Sequence, residues 1–314
     1  MTRPDLLAIG AFKTWDIEAM GAEYTLHEMP APDGIATLPE ALRQGLRLVA
    51  YQGHASFGAA EMDLLPSLGI VANYGVGYDS IDVATASARG IRVTNTPDVL
   101  TDDVADLAVG LLLARGRRFL QGDAWVRSGD WARHGEIALN RKISGAKVGI
   151  LGLGRIGREI ALRLAGFKTE IHYWARSEKD TPGWTFYADP VALAREVDFL
   201  IVALVGGPAT QGFVTREMLE ALGPDGLFIN VSRGTTVDEG ALLDALEQGT
   251  IAGAGLDVYL NEPNIDPRFK ALDNVLLLPH QASGTTATRQ AMGKLQRDNI
   301  AAFLTGRPLL TPVN

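Results

Sequence analysis

The pattern that constrains this chain most is Gly152-Leu153-Gly154-Arg155-Ile156-Gly157, set between an apolar run at 148–151 and a helical run at 158–165. Three spaced glycines alone say little. Between a strand and a helix each has a distinct role, since the first permits a tight turn, the second lets backbone approach a pyrophosphate, and the third packs helix on strand. Amides exposed at the helix start then hold the anion. These six residues are expected to line a dinucleotide; the duller alternative is a turn that merely connects strand to helix.

Short apolar runs alternate with helical patterns along the chain, which predicts βα units around parallel sheets. Runs at 6–10, 46–51, 70–73 and 91–94 read as strands of a first α/β domain. Those at 148–151, 170–174, 199–204, 227–231, 254–258 and 275–278 read as the six strands of a dinucleotide-binding fold. The 314 residues exceed what one hydrophobic core usually serves. Between the two series, Thr101-Asp102-Asp103 offers N-cap oxygens to a long helix from Val104 to about Leu120, with Arg115, Arg117 and Arg118 against its negative end. The segment 125–143, with Trp125 and Trp131, either reaches a partner subunit or forms an anchored surface loop. A last helix at 287–305 stops at Gly306 and crosses back onto the first domain.

With 29 basic and 37 acidic residues the net charge is −8, the wrong sign for gripping a phosphate backbone, so nucleic acid is not an expected ligand. The chain has 0 cysteines, which removes disulfide and thiol chemistry and fits a reducing compartment. No metal is expected. The run at 6–12 is no secretion signal, and 107–114, closed by Asp106 and Arg115, is far short of a bilayer span. A soluble, cytoplasmic protein with no membrane partner is expected.

The second strand of the glycine-turn series ends His172-Tyr173-Trp174-Ala175-Arg176-Ser177, with no acid to accept hydrogen bonds from an adenosine ribose. Small Ala175 leaves room for a 2′-phosphate, which Arg176 would bind by charge and Ser177 by its hydroxyl. NADPH is therefore expected over NADH, unless Arg176 only stacks on the adenine.

Ligands of parallel sheets bind beyond the carboxyl ends of the strands. Three successive ends carry Arg233, Glu262 and His280. Reducing a 2-oxo acid needs a cation for the carboxylate, polarisation of the carbonyl and a proton for the new alkoxide. Arg233 suits the first two needs and protonated His280 the third, while Glu262 on the other ring nitrogen favours the imidazolium. Singly, Arg233 pairing with Asp238 or Glu239, or Glu262 capping the turn at Pro263, would explain each. Of the 5 histidines, His27, His134 and His172 read as structural, and His54, after the strand at 46–51, as a substrate-pocket residue. In Asn73-Tyr74-Gly75-Val76-Gly77-Tyr78-Asp79, glycines expose amides able to hold a carboxylate, or else form an ordinary turn.

These residues resemble the D-isomer-specific 2-hydroxyacid dehydrogenase family over nearly the whole chain. The likeness rests on Val76-Gly77-Tyr78-Asp79, Thr96-Pro97, Thr101-Asp102-Asp103-Val104-Ala105, the glycine turn, Asn230-Val231-Ser232-Arg233-Gly234, Gly255-Leu256-Asp257-Val258-Tyr259, Glu262-Pro263 and Pro279-His280. The resemblance implies two Rossmann-like domains with parallel sheets: a flavodoxin-like substrate domain, 1–98 with 286–314, and a dinucleotide-binding domain, 99–285. It implies Arg233, Glu262 and His280 as catalytic residues and the Val76 and Gly77 amides as the substrate-carboxylate site. Asp257 becomes the acid on the nicotinamide side, and Thr101, Leu204 and Val231 join the cofactor contacts. A homodimer built on the helix and loop after Thr101 is implied as well.

Within the family, Trp174-Ala175-Arg176-Ser177 and Val205-Gly206-Gly207-Pro208-Ala209-Thr210 look like the NADPH-preferring reductases of glyoxylate, hydroxypyruvate and hydroxyphenylpyruvate. Nothing follows Asn314 that would match the regulatory extension of phosphoglycerate dehydrogenases, and Glu262 stands where formate dehydrogenases have glutamine. The expectation is an NADPH-dependent reductase of short 2-oxo acids giving D-hydroxy acids, its domains closing about hinges at 97–103 and 285–288. Two alternatives remain: a reductase of bulkier 2-oxo acids with 52–57 as the pocket wall, and a dinucleotide-sensing, co-repressor-like binding protein.

Overall fold

The computed structural model describes residues 3–314. They divide into two compact units, one running up to Leu100 and again over Gly284–Asn314, the other Thr101–Ser283. The chain thus passes between the units at 100/101 and 283/284.

In the first unit, β1 (Asp5–Ile9), β2 (Thr25–Met29), β3 (Leu48–Tyr51), β4 (Ile70–Asn73) and β5 (Arg92–Thr94) form a sheet of order β2-β1-β3-β4-β5. Every ladder is parallel. Side chains alternate across it: Leu7, Ile9, Val49 and Val71 fill one core, and Leu6, Ala8, Leu48 and Ile70 the other. Both faces are covered, so the central strands are continuous apolar runs that sequence alone reveals. The edge strand β2 was not anticipated, because Thr25-Leu26-His27-Glu28-Met29 is largely half-exposed and polar. The helix Thr286–Leu304 packs on this sheet, with buried Gln296 donating to the Ala72 carbonyl at 2.7 Å and Arg297 paired to buried Asp16 at 2.7 Å.

The second unit holds β6 (Lys147–Leu151), β7 (Glu170–Trp174), β8 (Thr185–Tyr187), β9 (Phe199–Val202), β10 (Leu227–Asn230), β11 (Gly253–Leu256) and β12 (Val275–Leu277). Their order is β12-β11-β10-β9-β6-β7-β8, all parallel, seven strands where six were expected. The extra one, β8, is a three-residue edge strand with no buried residue.

The long helix differs from its expectation in three ways. It spans Thr101–Gly116, so Thr101, Asp102 and Asp103 lie in its first turn, where Asp102 and Asp106 both grip Arg163 of the helix Arg155–Ala165. It ends at Gly116, which packs against Ile143 so closely that a Cβ would come within 2.8 Å of its Cδ1. Arg118 then turns left-handed at φ 52° and a new helix, Phe119–Arg127, begins. Arg115 does not serve its own helix end: it is buried and donates to the carbonyls of Asn274 (2.8 Å) and Ala252 (3.2 Å). Among the described residues no helix is long and apolar enough to cross a membrane.

Candidate active site

In the second unit the strand order reverses between β6 and β9, and the glycine turn sits at the carboxyl end of β6 at this switch point. Gly152 has φ 97°, and a Cβ there would come within 2.7 Å of the Ala203 carbonyl oxygen. A Cβ on Gly157 would lie 2.0 Å from the Gly152 oxygen. Gly154 is different: no heavy atom of the described residues lies within 4 Å of its Cβ position. Two glycines are thus demanded by the protein's own packing, while the third faces open space, as a cradle for an approaching pyrophosphate requires. Gly154 is also the N-cap of the helix Arg155–Ala165, so no side chain competes with an anion for its first amides.

At the end of β7, Ala175 is buried while Arg176 and Ser177 are exposed. Leu204 follows β9, and its carbonyl accepts the Ser232 hydroxyl. Val231 is buried after β10, and Thr101 begins the long helix.

The Arg233 turn is fixed by buried Asn230, which accepts from the Ser232 amide at 3.0 Å and donates to the Arg233 carbonyl at 3.1 Å. Thr236 Oγ1 donates to the same carbonyl at 2.6 Å. A Cβ on Gly234 would overlap the Tyr259 carbonyl carbon at 1.9 Å, so this turn is pressed on the Tyr259–Leu260 backbone. On that segment Glu262 Oε1 accepts the Tyr259 amide at 2.8 Å, and Oε2 meets His280 Nδ1 at 2.6 Å. The Tyr259 hydroxyl lies between the carbonyls of Leu256 (3.1 Å) and Leu278 (2.9 Å), joining the ends of β11 and β12.

His280 is left-handed at φ 49°, a conformation costing an ordinary residue about 1–2 kcal/mol. Asp257, fully buried, offsets it by accepting from the next two amides, Gln281 at 2.8 Å and Ala282 at 2.9 Å. Burial raises the Asp257 pKa, and the Gln281 and Ala282 amides work against it. The structure therefore joins Glu262 directly to His280 and sets the Arg233 turn against the backbone that carries Glu262. Glu239 accepts the Leu260 amide at 2.8 Å and Asp238 caps the helix Glu239–Glu247.

His54, Val76 and Gly77 belong to the first unit. His54 is exposed in the loop after β3, whose far side is tied by the Tyr51 hydroxyl donating to the Ala55 carbonyl. After β4 the carbonyls point back into the unit: Asn73 Nδ2 donates to those of Gly75 (3.1 Å) and Gly77 (2.9 Å), and Asn95 Nδ2 to that of Val76 (2.9 Å). These bonds fix the carbonyls of the turn, and the Gly75 amide donates to Thr96 Oγ1 at 3.0 Å.

The other histidines stand apart. His27 pairs with Asp5 at 2.7 Å, His134 lies 3.5 Å from Asp130, and buried His172 has no hydrogen-bond partner for either ring nitrogen among the described residues. Sequence reasoning names Asn73, Asn230 and Tyr259 within motifs but assigns them no role of their own. A buried strand-end Asn or Tyr is a signal only once the turn it closes is known.

Fold, glycine cradle and strand-end trio define a nucleotide-binding α/β oxidoreductase. The family model for the "D-isomer specific 2-hydroxyacid dehydrogenase, NAD binding domain" matches residues 109–282. A 2-ketogluconate reductase of Gluconobacter oxydans is 41% identical over 312 residues, 99% of each chain. A glyoxylate/hydroxypyruvate reductase A of Arabidopsis thaliana is 45% identical over 278 residues, 88% of each. Among solved structures, an NADPH-dependent glyoxylate/hydroxypyruvate reductase from Sinorhizobium meliloti, in complex with NADP and malonate, shares 44% identity at a TM-score of 0.94, covering 99% of this chain and 97% of the other. The chain belongs to the D-isomer-specific 2-hydroxyacid dehydrogenase family.

Proposed function

We propose that the protein is an NADPH-dependent reductase of short 2-oxo acids, glyoxylate and hydroxypyruvate, yielding D-2-hydroxy acids. The observation that carries this reading is the Glu262–His280 pair, because a carboxylate on Nδ1 orients the ring and favours the imidazolium that donates the proton. The glycine turn 152–157 would hold NADPH, which would supply the hydride. Arg233 grips the carboxylate and polarises the oxo group, His280 delivers the proton, and Glu262 holds the ring and balances its charge. The amides of Val76 and Gly77 bind the carboxylate, and His54 is a pocket residue. The first unit then acts as substrate domain and the second as cofactor domain.

NADPH is preferred over NADH because Arg176 and Ser177 stand where an acid would hold a ribose hydroxyl. The apolar side chains of Phe119, Leu120, Val126, Trp131 and Leu139, all more than half exposed, support a homodimer formed through this segment. A cytoplasmic location fits the absence of cysteine. A second reading, bulkier 2-oxo acids, is favoured by the near full-length likeness to a 2-ketogluconate reductase and by small Gly53, Ala55 and Ser56 beside His54. A panel of glyoxylate, hydroxypyruvate, 4-hydroxyphenylpyruvate and 2-ketogluconate with each coenzyme tests both. Highest kcat/KM for the two short acids with NADPH supports the first; highest values for a bulkier acid support the second.

A further inference from the structure

Beyond β7 the chain turns through Ala175-Arg176-Ser177-Glu178-Lys179-Asp180, and this turn is built rather than loose. Tyr173, its ring fully buried and 5.5 Å from that of Phe186, sends its hydroxyl out to Lys179. The hydroxyl accepts the Lys179 amide at 2.8 Å and lies 3.1 Å from the Lys179 carbonyl, to which it donates. One residue on, the Asp180 carbonyl accepts Arg158 Nη2 at 2.7 Å, which ties the turn to the helix Arg155–Ala165. Arg158 is itself steadied over the Trp184 ring at 5.8 Å. With its backbone held at both ends, Lys179 places Nζ 3.1 Å from Ser177 Oγ.

We infer that Lys179 is a third donor to the 2′-phosphate of NADPH, beside Arg176 and Ser177, and that the Tyr173 hydroxyl presets its place; this rests on the NADPH reading above. Two donors this close reach the oxygens of one tetrahedral phosphate together, the serine by its hydroxyl and the lysine as a compact charge on a flexible stem. The local charge balance gives the lysine its weight. Arg176, Lys179 and the turn-bound Arg158 stand against Glu178 and Asp180, an excess of one positive charge. Removing Lys179 leaves two cations against two carboxylates, a turn with no net attraction for a phosphate dianion. A ribose lacking that phosphate carries only a neutral hydroxyl and feels little of this.

Binding titrations followed by protein fluorescence test the inference, with NADPH, NADH, 2′,5′-ADP and 5′-AMP as probes. Lys179→Ala is expected to raise the Kd of NADPH and 2′,5′-ADP about tenfold, the scale of a hydrogen bond to a charged group, with NADH and 5′-AMP within about twofold. Lys179→Arg keeps most of the affinity. Tyr173→Phe loosens the turn and produces a smaller loss, again confined to the 2′-phosphorylated probes. If Arg176→Ala with Ser177→Ala weakens NADPH selectively while Lys179→Ala does nothing, or weakens all four probes alike, the role of Lys179 is overturned and the NADPH reading survives. If the double variant discriminates no better, the NADPH reading falls and the lysine's role with it.

Discussion

Glu262 Oε2 lies 2.6 Å from Nδ1 of His280, with the carboxylate's other oxygen held by the Tyr259 amide. Both oxygens are committed, so the ring has one orientation. Glu262→Gln preserves the shape but removes the charge that balances an imidazolium. We expect kcat for glyoxylate reduction to fall about 10²-fold or more, within the usual range for impaired general acid catalysis, with the Kd of NADPH unchanged. A loss under threefold would reduce Glu262 to a structural cap.

Arg233 is half-buried on a turn locked by Asn230 and Thr236. Its planar fork, not its charge alone, suits a carboxylate beside an oxo group. Arg233→Lys should lower kcat/KM by about 10²-fold with NADPH binding intact, whereas near-normal turnover would show that a point charge suffices.

The glycine cradle separates packing from ligand approach. Gly157→Ala drives a methyl into the Gly152 carbonyl and should lower Tm as well as cofactor affinity. Gly154→Ala meets only open space, so Tm should hold while the NADPH Kd rises at least about tenfold, about 1.4 kcal/mol. Equal thermal losses in the two variants would contradict the assignment.

His172 is buried without hydrogen bonds, and burial, with Lys147 nearby, lowers its pKa below 6.5. The folded state therefore resists protonation that the unfolded chain accepts, and stability present above pH 6.5 is lost as pH falls below it. His172→Leu should flatten the fall in Tm as pH drops from 7 to 5.5. An unchanged slope would place the acid sensitivity elsewhere.

Trp131 is 61% exposed and Leu139 92%. If this segment meets a second copy, Trp131→Glu with Leu139→Glu should shift the protein from dimer to monomer in sedimentation at micromolar concentration. A monomeric parent protein would refute the homodimer.

Legibility from sequence followed burial. β3, β4, β9 and β10 are buried along their whole length and read as apolar runs, as does the strand feeding the glycine turn. Edge strands β2 and β8, wetted on one side, show no such run, whereas edge strand β12 is apolar throughout and is legible although none of its residues is fully buried. Arg233, Glu262 and His280 stand out in the sequence because ligands of parallel sheets bind at strand ends. The turning inward of Arg115 and the brace of Asp257 under His280 do not, since each depends on contacts with residues distant in the chain, Asn274 and Gln281.

The most direct test is steady-state NADPH oxidation by His280→Ala beside a fluorescence titration of the coenzyme. A proton-donating His280 predicts kcat lower by about 10²–10⁴-fold with an unaltered NADPH Kd. Turnover within a few-fold of the parent would contradict it and hand the proton to another group, His54 first.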